Sequence, residues 1–203
     1  MPVTELALLR LKTETPCQDV KTSFQQAGQA QSDYSKYPAR FFRQTEDSSF
    51  IYVLGGWESI VTHTGEWITS ETNQKYLGQL KDEVDIEWMF HLDIDPSTPT
   101  MPLDAPVIAV SRYFVESSKK ADFDAAFKNG APYLGAQTAP FSYAGGWRID
   151  KEDDDEEFVL FSGWNKPEDH YAFAETEGFK QFGKIKDSLK GAEIKHVRIE
   201  KWE

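Results

Sequence analysis

Two stretches of this sequence, Phe-Ile-Tyr-Val-Leu-Gly-Gly-Trp at residues 50–57 and Phe-Val-Leu-Phe-Ser-Gly-Trp at residues 158–164, resemble each other. Each is an apolar run typical of a buried β-strand, and a histidine follows six positions after each tryptophan. Trp57 and His63 therefore match Trp164 and His170 at a constant offset of 107 residues. We interpret this agreement as an internal duplication of the chain.

A proline-rich segment separates the two copies. Residues 95–106 contain four prolines, and each proline removes a backbone donor and disfavours helix at the residue before it. We therefore predict an extended linker at residues 96–106, between a first unit at residues 1–95 and a second unit at residues 107–203.

Both halves have the same predicted order of elements, which is βαββαβ. The first strands are expected at residues 5–12 and 107–115, and the last strands at residues 85–94 and 193–202. This order predicts an α+β fold of two tandem ferredoxin-like units, each an antiparallel sheet with helices on one face. Burial of the remaining faces against each other would give an intramolecular dimeric α/β-barrel.

The composition limits the partners of the chain. Its 22 Lys+Arg and 34 Asp+Glu give a formal net charge of −12, whereas a phosphate backbone or an anionic membrane surface requires clustered cations. We therefore expect no nucleic-acid partner and no membrane partner. The single cysteine, Cys17, cannot form an internal disulfide, and no window approaches the roughly 18–20 apolar residues that span a bilayer. Both features favour a cytoplasmic protein.

The duplicated order, the Gly-Trp strand ends and the histidine-bearing helices resemble the dimeric α/β-barrel superfamily. That superfamily includes antibiotic-biosynthesis monooxygenases, EthD-like proteins, olivetolic acid cyclase and stress-responsive barrels. The segment Gly56-Trp57-Glu58-Ser59, followed by His63, Trp67-Ile68 and Asn73, is similar to the version common in fungal members. The resemblance implies a pocket between the sheet and the helices of each unit, and chemistry on small aromatic or polyketide-like molecules without a metal or cofactor.

His63 and His170 are the candidate catalytic residues. On a helix, Ile60, His63 and Trp67 share one face, which we expect to be buried. A neutral imidazole, with an ordinary pKa of about 6.5, suits removal of a proton from a phenol or an activated methylene. The alternative is a histidine that only packs between helix and sheet. The first half has the more complete motif, which consists of Trp57, His63, Trp67 and Asn73. The sequence does not decide which half is active.

Six further residues are candidates for substrate binding: Trp57, Trp67, Asn73, Trp164, Arg10 and Arg112. The two arginines lie in otherwise apolar first strands, at positions that we interpret as equivalent. Each needs a carboxylate or carbonyl partner, which is either an acid group of a ligand or an acidic side chain of the other half.

The remaining histidines and the acidic insert are expected to be structural. His91 and His196 fall on the last strands, where we expect ordinary sheet residues. No His-X-His or His-X3-His spacing occurs, so we expect no metal site. The acidic insert, residues 151–157, lacks the EF-hand spacing and is expected to form a solvated hairpin tip.

The expected function is that of a cofactor-independent enzyme of the monooxygenase or cyclase type. It would act on a phenolic or polyketide-like substrate with a pocket histidine as base. One alternative is a non-catalytic ligand-binding or stress-related barrel, and another is haem binding in the manner of related barrels. Because one chain contains both units, we expect a monomer, as a pseudo-dimer, or a homodimer.

Overall fold

The computed structural model describes residues 1–98, 100–151 and 154–202. Pro99 of the predicted linker, residues 152 and 153 of the acidic insert, and Glu203 lie outside the described residues. The chain divides into two compact units: the first is Met1–Pro99 with Arg198–Glu203, and the second is Thr100–Val197. Each unit is described by itself below.

The first unit contains four strands and two α-helices. In chain order these are β1 Val3–Leu11, α1 Gln18–Ser35, β2 Arg40–Gln44, β3 Phe50–Trp57, α2 Glu71–Leu80 and β4 Val84–Leu92. The strands pair antiparallel in the order β4-β1-β3-β2. The register places Val3 opposite Trp57, so the start of β1 lies beside the Gly-Trp end of β3.

A π-helical turn, Thr62–Trp67, lies between β3 and α2 and carries His63. The chain enters it through Ser59, whose hydroxyl accepts a hydrogen bond from the Thr62 amide, as the side chain of a helix cap does. Ser70 caps α2 in the same way through the Asn73 amide. His63 and Trp67 are both buried, which confirms the predicted buried face of this segment.

The second unit contains the remaining strands and three α-helices. In chain order these are β5 Val107–Val115, α3 Lys120–Thr138, β6 Tyr143–Trp147, β7 Glu156–Trp164, α4 Pro167–Phe173, α5 Glu177–Phe182 and β8 Leu189–Glu200. Short 3-10 turns at Ser117–Lys119 and Gly183–Ser188 precede α3 and β8. The strand order is β8-β5-β7-β6, again with antiparallel pairing. The predicted α+β class is therefore confirmed.

Different side chains pack the interiors of the two units. In the second, one cluster of buried side chains includes seven aromatic residues that pack mostly edge to face or tilted, among them Phe123 and Phe158 with ring centroids 5.1 Å apart. In the first, the tail residue Trp202 inserts between helix and sheet and stacks on Phe24 at 4.1 Å. The chain end therefore forms part of the core of the first unit.

Three local expectations are wrong. Arg10 pairs with Phe50, seven residues before Trp57, whereas Arg112 pairs with Val159, five residues before Trp164. The two arginines therefore do not occupy the equivalent positions that were predicted. Glu156 and Glu157 are not in a solvated tip, because both are buried in β7. Their carboxylates pair with cations instead, Glu157 with Arg112 at 2.5 Å and Glu156 with Lys120 at 2.9 Å.

The third wrong expectation concerns β4. Strict alternation of side chains along this strand would place Ile86 on the same face as Trp88. A register shift between Leu8 and Leu9 pairs Leu8 with Trp88 and Leu9 with Ile86. This bulge turns Ile86 to the face that carries Met89, and both side chains line the cavity described below.

Candidate functional site

A buried carboxyl group, that of Glu5, lies at the centre of the candidate site in the first unit. Glu5 is the third residue of β1, opposite Gly55 of β3 and His91 of β4, and is only 6% exposed. The indole Nε1 of Trp57 and the amide Nε2 of Gln31 both donate to its Oε2, each at 2.8 Å. Strand β3, through Trp57, and helix α1, through Gln31, thus hold this oxygen in place.

Gly55 provides the space that this carboxyl group occupies. A Cβ atom at position 55 would lie 2.6 Å from Glu5 Oε2 and 2.5 Å from Gln31 Nε2. Both distances are far below van der Waals contact, so any side chain here would displace the carboxyl group or the amide. The glycine of the Gly-Gly-Trp motif is therefore explained by the close approach of two polar side chains.

Two histidines adjoin the carboxyl group. His63 Nδ1 and His91 Nε2 are 2.7 Å apart, which is hydrogen-bond distance, and one of the two nitrogens must carry the proton. His63 Nε2 lies 3.7 Å from Glu5 Oε2, too far for a direct hydrogen bond. The His63 ring stacks on Trp57 with centroids 4.1 Å apart and planes at 7°. Glu5, His63 and His91 thus form a continuous row of titratable groups, which we call the Glu-His-His row.

Burial raises the pKa of the Glu5 carboxyl group, because the charged form loses its hydration. The hydrogen bonds from Trp57 and Gln31 and the nearby His91 oppose this shift, since they favour the carboxylate. A carboxyl group with a raised pKa exchanges protons closer to neutral pH than an exposed one does. The row is therefore suited to accepting a proton and returning it.

A mainly apolar cavity of about 190 Å³ opens in front of Glu5 and His63. It lies between the sheet and helices α1 and α2, as the resemblance implied for a pocket. Leu77 and Ile86 line it and are themselves exposed, so the cavity opens to the surface between α2 and β4. An apolar protein cavity of about 150 Å³ holds a benzene molecule, and the present one is somewhat larger. It is the right size for one aromatic ring, with any further ring extending towards the opening.

The structure brings most of the predicted residues of the first half together. His63, Trp67 and Asn73 line the cavity, and Trp57 holds Glu5 and supports His63. The Asn73 side-chain amide donates to the carbonyl of Ile68 at 3.2 Å, which fixes it at the junction between the π-helical turn and α2.

The two arginines are not part of this assembly. Arg10 is exposed, with its guanidinium 5.6 Å from the centre of the Phe50 ring. Arg112 belongs to the second unit and pairs with Glu157 and Glu193, at 2.5 and 3.1 Å. The partners of Arg112 are therefore acidic side chains, but they come from its own half and not from the other half as expected.

The second unit repeats the histidine pair without the carboxyl group. His170 Nδ1 and His196 Nε2 are 3.0 Å apart, and the His170 ring stacks on Trp164 at 4.8 Å. The register places Ala109 opposite both Ser162 and His196, just as Glu5 lies opposite Gly55 and His91. The Trp164 indole donates to the Ser162 hydroxyl at 2.9 Å. Alanine and serine thus replace glutamate and glycine as a complementary pair.

The space in front of His170 is filled as well. The cross-strand pair Leu9 and Ile51 of the first unit corresponds to Tyr113 and Phe158 in the second, both buried. Burial raises the pKa of Tyr113 to about 12 and, with the nearby His196, lowers the pKa of His170 to about 4. His170 is therefore a neutral imidazole at physiological pH, half-buried against the rings of Trp164 and Tyr171.

Sequence reasoning missed Glu5 and Gln31 and expected His91 to be an ordinary sheet residue. A signal was present for the histidine, because His91 and His196 match at an offset of 105. The same offset relates Leu77-Gly78 to Phe182-Gly183, so each half has two histidines at matching positions. Glu5 had no matching residue in the second half, and a glutamate in a strand is unremarkable until its burial is known.

Metal and haem binding find little support in these residues. Within the described part of the chain, no group of three or more His, Cys, Asp or Glu side chains is arranged to hold a metal ion. A haem needs an imidazole nitrogen that faces a cavity large enough for a whole porphyrin. The cavity of about 190 Å³ is below the roughly 300–1,000 Å³ usual for drug-sized ligands. The residues present do not fit a haem.

Comparison with known proteins places the fold. No protein-family model matches the sequence, and no curated protein sequence matches it. Among solved structures, a "putative monooxygenase" from Lactobacillus acidophilus has a TM-score of 0.64 at 12% identity, over 98% of this chain and 93% of that one. An anthrone oxidase-like protein has a TM-score of 0.62 at 12% identity, over 98% and 92%. A mutant chlorite dismutase from Candidatus Nitrospira defluvii has 0.68 at 8%, over 99% and 92%.

These structural neighbours are proteins of the dimeric α/β-barrel superfamily. The likeness supports, at the level of the fold, the resemblance noted in the sequence, and at these identities it shows the fold alone. Among the described residues, no helix is both long enough and apolar enough to cross a membrane.

Proposed function

We propose that this protein is a small-molecule oxidase or monooxygenase whose site is the cavity of the first unit. The observation that carries the proposal is the Glu-His-His row, buried on the wall of an apolar cavity that is open at its far end. The names of two structural neighbours, a monooxygenase and an anthrone oxidase-like protein, point in the same direction.

In the reaction proposed, His63 removes a proton from an activated methylene or a phenol in the cavity. The resulting carbanion adds O₂ and, after protonation, gives a hydroperoxide. Loss of water from that hydroperoxide converts the original CH₂ group into a carbonyl, so that CH₂ and O₂ become C=O and H₂O. The aromatic walls orient the ring and exclude bulk water.

We also propose that the chain consists of two tandem ferredoxin-like copies of which only the first is active. The matching strand orders, β4-β1-β3-β2 and β8-β5-β7-β6, support the duplication. The loss of the carboxyl group at Ala109 and the filling of the interior by Tyr113 and Phe158 support the assignment of activity to the first unit.

The proposal is tested with anthrone, whose methylene is flanked by two aromatic rings, as substrate in an oxygen-consumption assay. His63→Gln should lower kcat by at least about 100-fold, the usual contribution of a general base. The matched variant His170→Gln should keep kcat within about twofold. Equal losses in both variants, or full activity in both, would disprove the assignment of the base.

A second candidate function is ligand binding without catalysis. Its support is that both ring nitrogens of His63 are directed at protein groups, Nδ1 at His91 and Nε2 at Glu5. The anthrone assay separates the two functions, because a binding protein would take up the ring without consuming oxygen. Tryptophan fluorescence would report that uptake, since Trp67 lines the cavity.

A further inference from the structure

Among the described residues, the cavity is lined by an acidic side chain and by no lysine or arginine. Glu5 is the one carboxyl group among those residues. Arg10 and Arg112, which the sequence offered as partners for an acidic ligand, lie elsewhere. A ligand that enters this cavity therefore meets an acidic group without a compensating cation.

The two oxygens of Glu5 have different surroundings. Oε2 accepts hydrogen bonds from Trp57 and Gln31 and is the oxygen nearest His63. Within the described part of the chain no donor reaches Oε1, although a carboxylate oxygen readily accepts hydrogen bonds. Since the Glu5 side chain lines the cavity, Oε1 is the acceptor that remains for a ligand.

We propose that Glu5 determines the specificity of the cavity: it selects an uncharged aromatic ligand with a hydroxyl group and excludes aromatic carboxylates. This inference rests on the proposed function to the extent that the cavity of the first unit is the ligand site. In the complex, the ligand hydroxyl donates to Oε1 while its ring packs between the apolar side chains of α1, α2 and β4.

The physical reason is the cost of burying charge. An aromatic carboxylate would lose its hydration and lie beside a second acidic group in an environment of low dielectric constant. An uncharged hydroxyl loses little hydration and satisfies an acceptor that is otherwise unpaired. A protonated amine would attract Glu5 but has only this one oxygen to replace its own hydration.

Four one-ring probes of the same shape test the inference by calorimetry with the full-length protein. They are 4-methylphenol, 4-methylanisole, 4-methylbenzoate and 4-methylbenzylamine. The wild-type protein should bind 4-methylphenol at least about fivefold more tightly than 4-methylanisole, which lacks the donor. It should bind 4-methylbenzoate at least about tenfold more weakly than 4-methylphenol.

A pair of matched variants then assigns the effect to Glu5. Glu5→Gln removes the charge and keeps the shape, and it should improve the affinity for 4-methylbenzoate at least about tenfold. Glu87→Gln removes one charge from an exposed position of β4 and should leave all four affinities within about twofold of wild type.

Four outcomes would overturn the inference, three of them seen as binding and one as its absence. The three are wild-type binding of 4-methylbenzoate as tight as that of 4-methylphenol, preferential binding of 4-methylbenzylamine, and a preference that survives in Glu5→Gln. The absence of binding by every probe would overturn it too, because the cavity would then not be a ligand site. Failure of the anthrone assay leaves these binding ratios unaffected, so the two proposals can fail separately.

Discussion

Acidification is expected to destabilise this protein through His170, and the substitution His170→Asn should remove that effect. In the folded protein, burial and the neighbouring His196 lower the pKa of His170 from 6.5 to about 4. In the unfolded chain the same imidazole keeps its ordinary pKa. Asparagine does not titrate in this range and can still form a hydrogen bond to His196 Nε2, which lies 3.0 Å from His170 Nδ1.

The magnitude follows from the difference between the two pKa values of His170. Between pH 6.5 and pH 4 the unfolded chain binds a proton at this residue and the folded protein does not, so the free energy of unfolding decreases as the pH falls. At about 1.36 kcal/mol per pH unit, the loss between pH 7.5 and pH 5 is about 2 kcal/mol. That is a large part of the 5–15 kcal/mol by which a typical domain is stable.

Urea unfolding at pH 7.5 and at pH 5, followed by tryptophan fluorescence, measures this loss. The wild-type free energy of unfolding should decrease by about 2 kcal/mol more than that of His170→Asn over the same interval. Titrating groups that do not contact His170, Glu5 included, are common to both proteins and cancel in the difference. If both proteins lose the same stability, His170 is not held neutral by its surroundings and this reasoning is refuted.

Three further predictions concern the first unit. Gly55→Ala should displace the Glu5 carboxyl group and abolish the preference for 4-methylphenol in the calorimetric assay, and an unchanged preference would show that the close contact is relieved elsewhere. Glu5→Gln should raise Tm at pH 8, because burial raises the pKa of Glu5 in the folded state and its ionisation therefore opposes folding. This gain in Tm should disappear below pH 4.5. Equal Tm differences at both pH values would contradict this. Trp202→Ala should cost about 3–5 kcal/mol of stability in urea, since the stack on Phe24 leaves a cavity. Trp202→Phe should cost at most about 1 kcal/mol, because it keeps the ring and removes a buried indole N–H that has no partner among the described residues.

Much of the secondary structure was predictable because its signals are local. The apolar runs at Phe50–Trp57 and Val107–Val115 have the predicted bounds. Helices α1 and α3 continue beyond their strongest apolar patterns, to Ser35 and Thr138, because tertiary packing stabilises the additional turns.

The candidate site was predictable only in part, and the difference lies in how far apart its members are in the chain. Trp57, His63, Trp67 and Asn73 follow one another within a single strand and helix, so their spacing along the sequence suggested a common wall. Arg10 and Arg112 were assigned from apolar context alone, which cannot show whether a side chain faces a cavity, solvent or an ion pair.

The order and polarity of neighbouring residues by themselves determined the α+β class, the two matching strands and the histidine that follows each Gly-Trp end. The Glu-His-His row is different, because its members come from β1, the π-helical turn and β4, and only the strand register brings Glu5 opposite Gly55 and His91. A shift of one residue in either pairing would turn these side chains to opposite faces of the sheet. Burial and pairing between distant segments therefore placed the carboxyl group and opened the cavity in front of it.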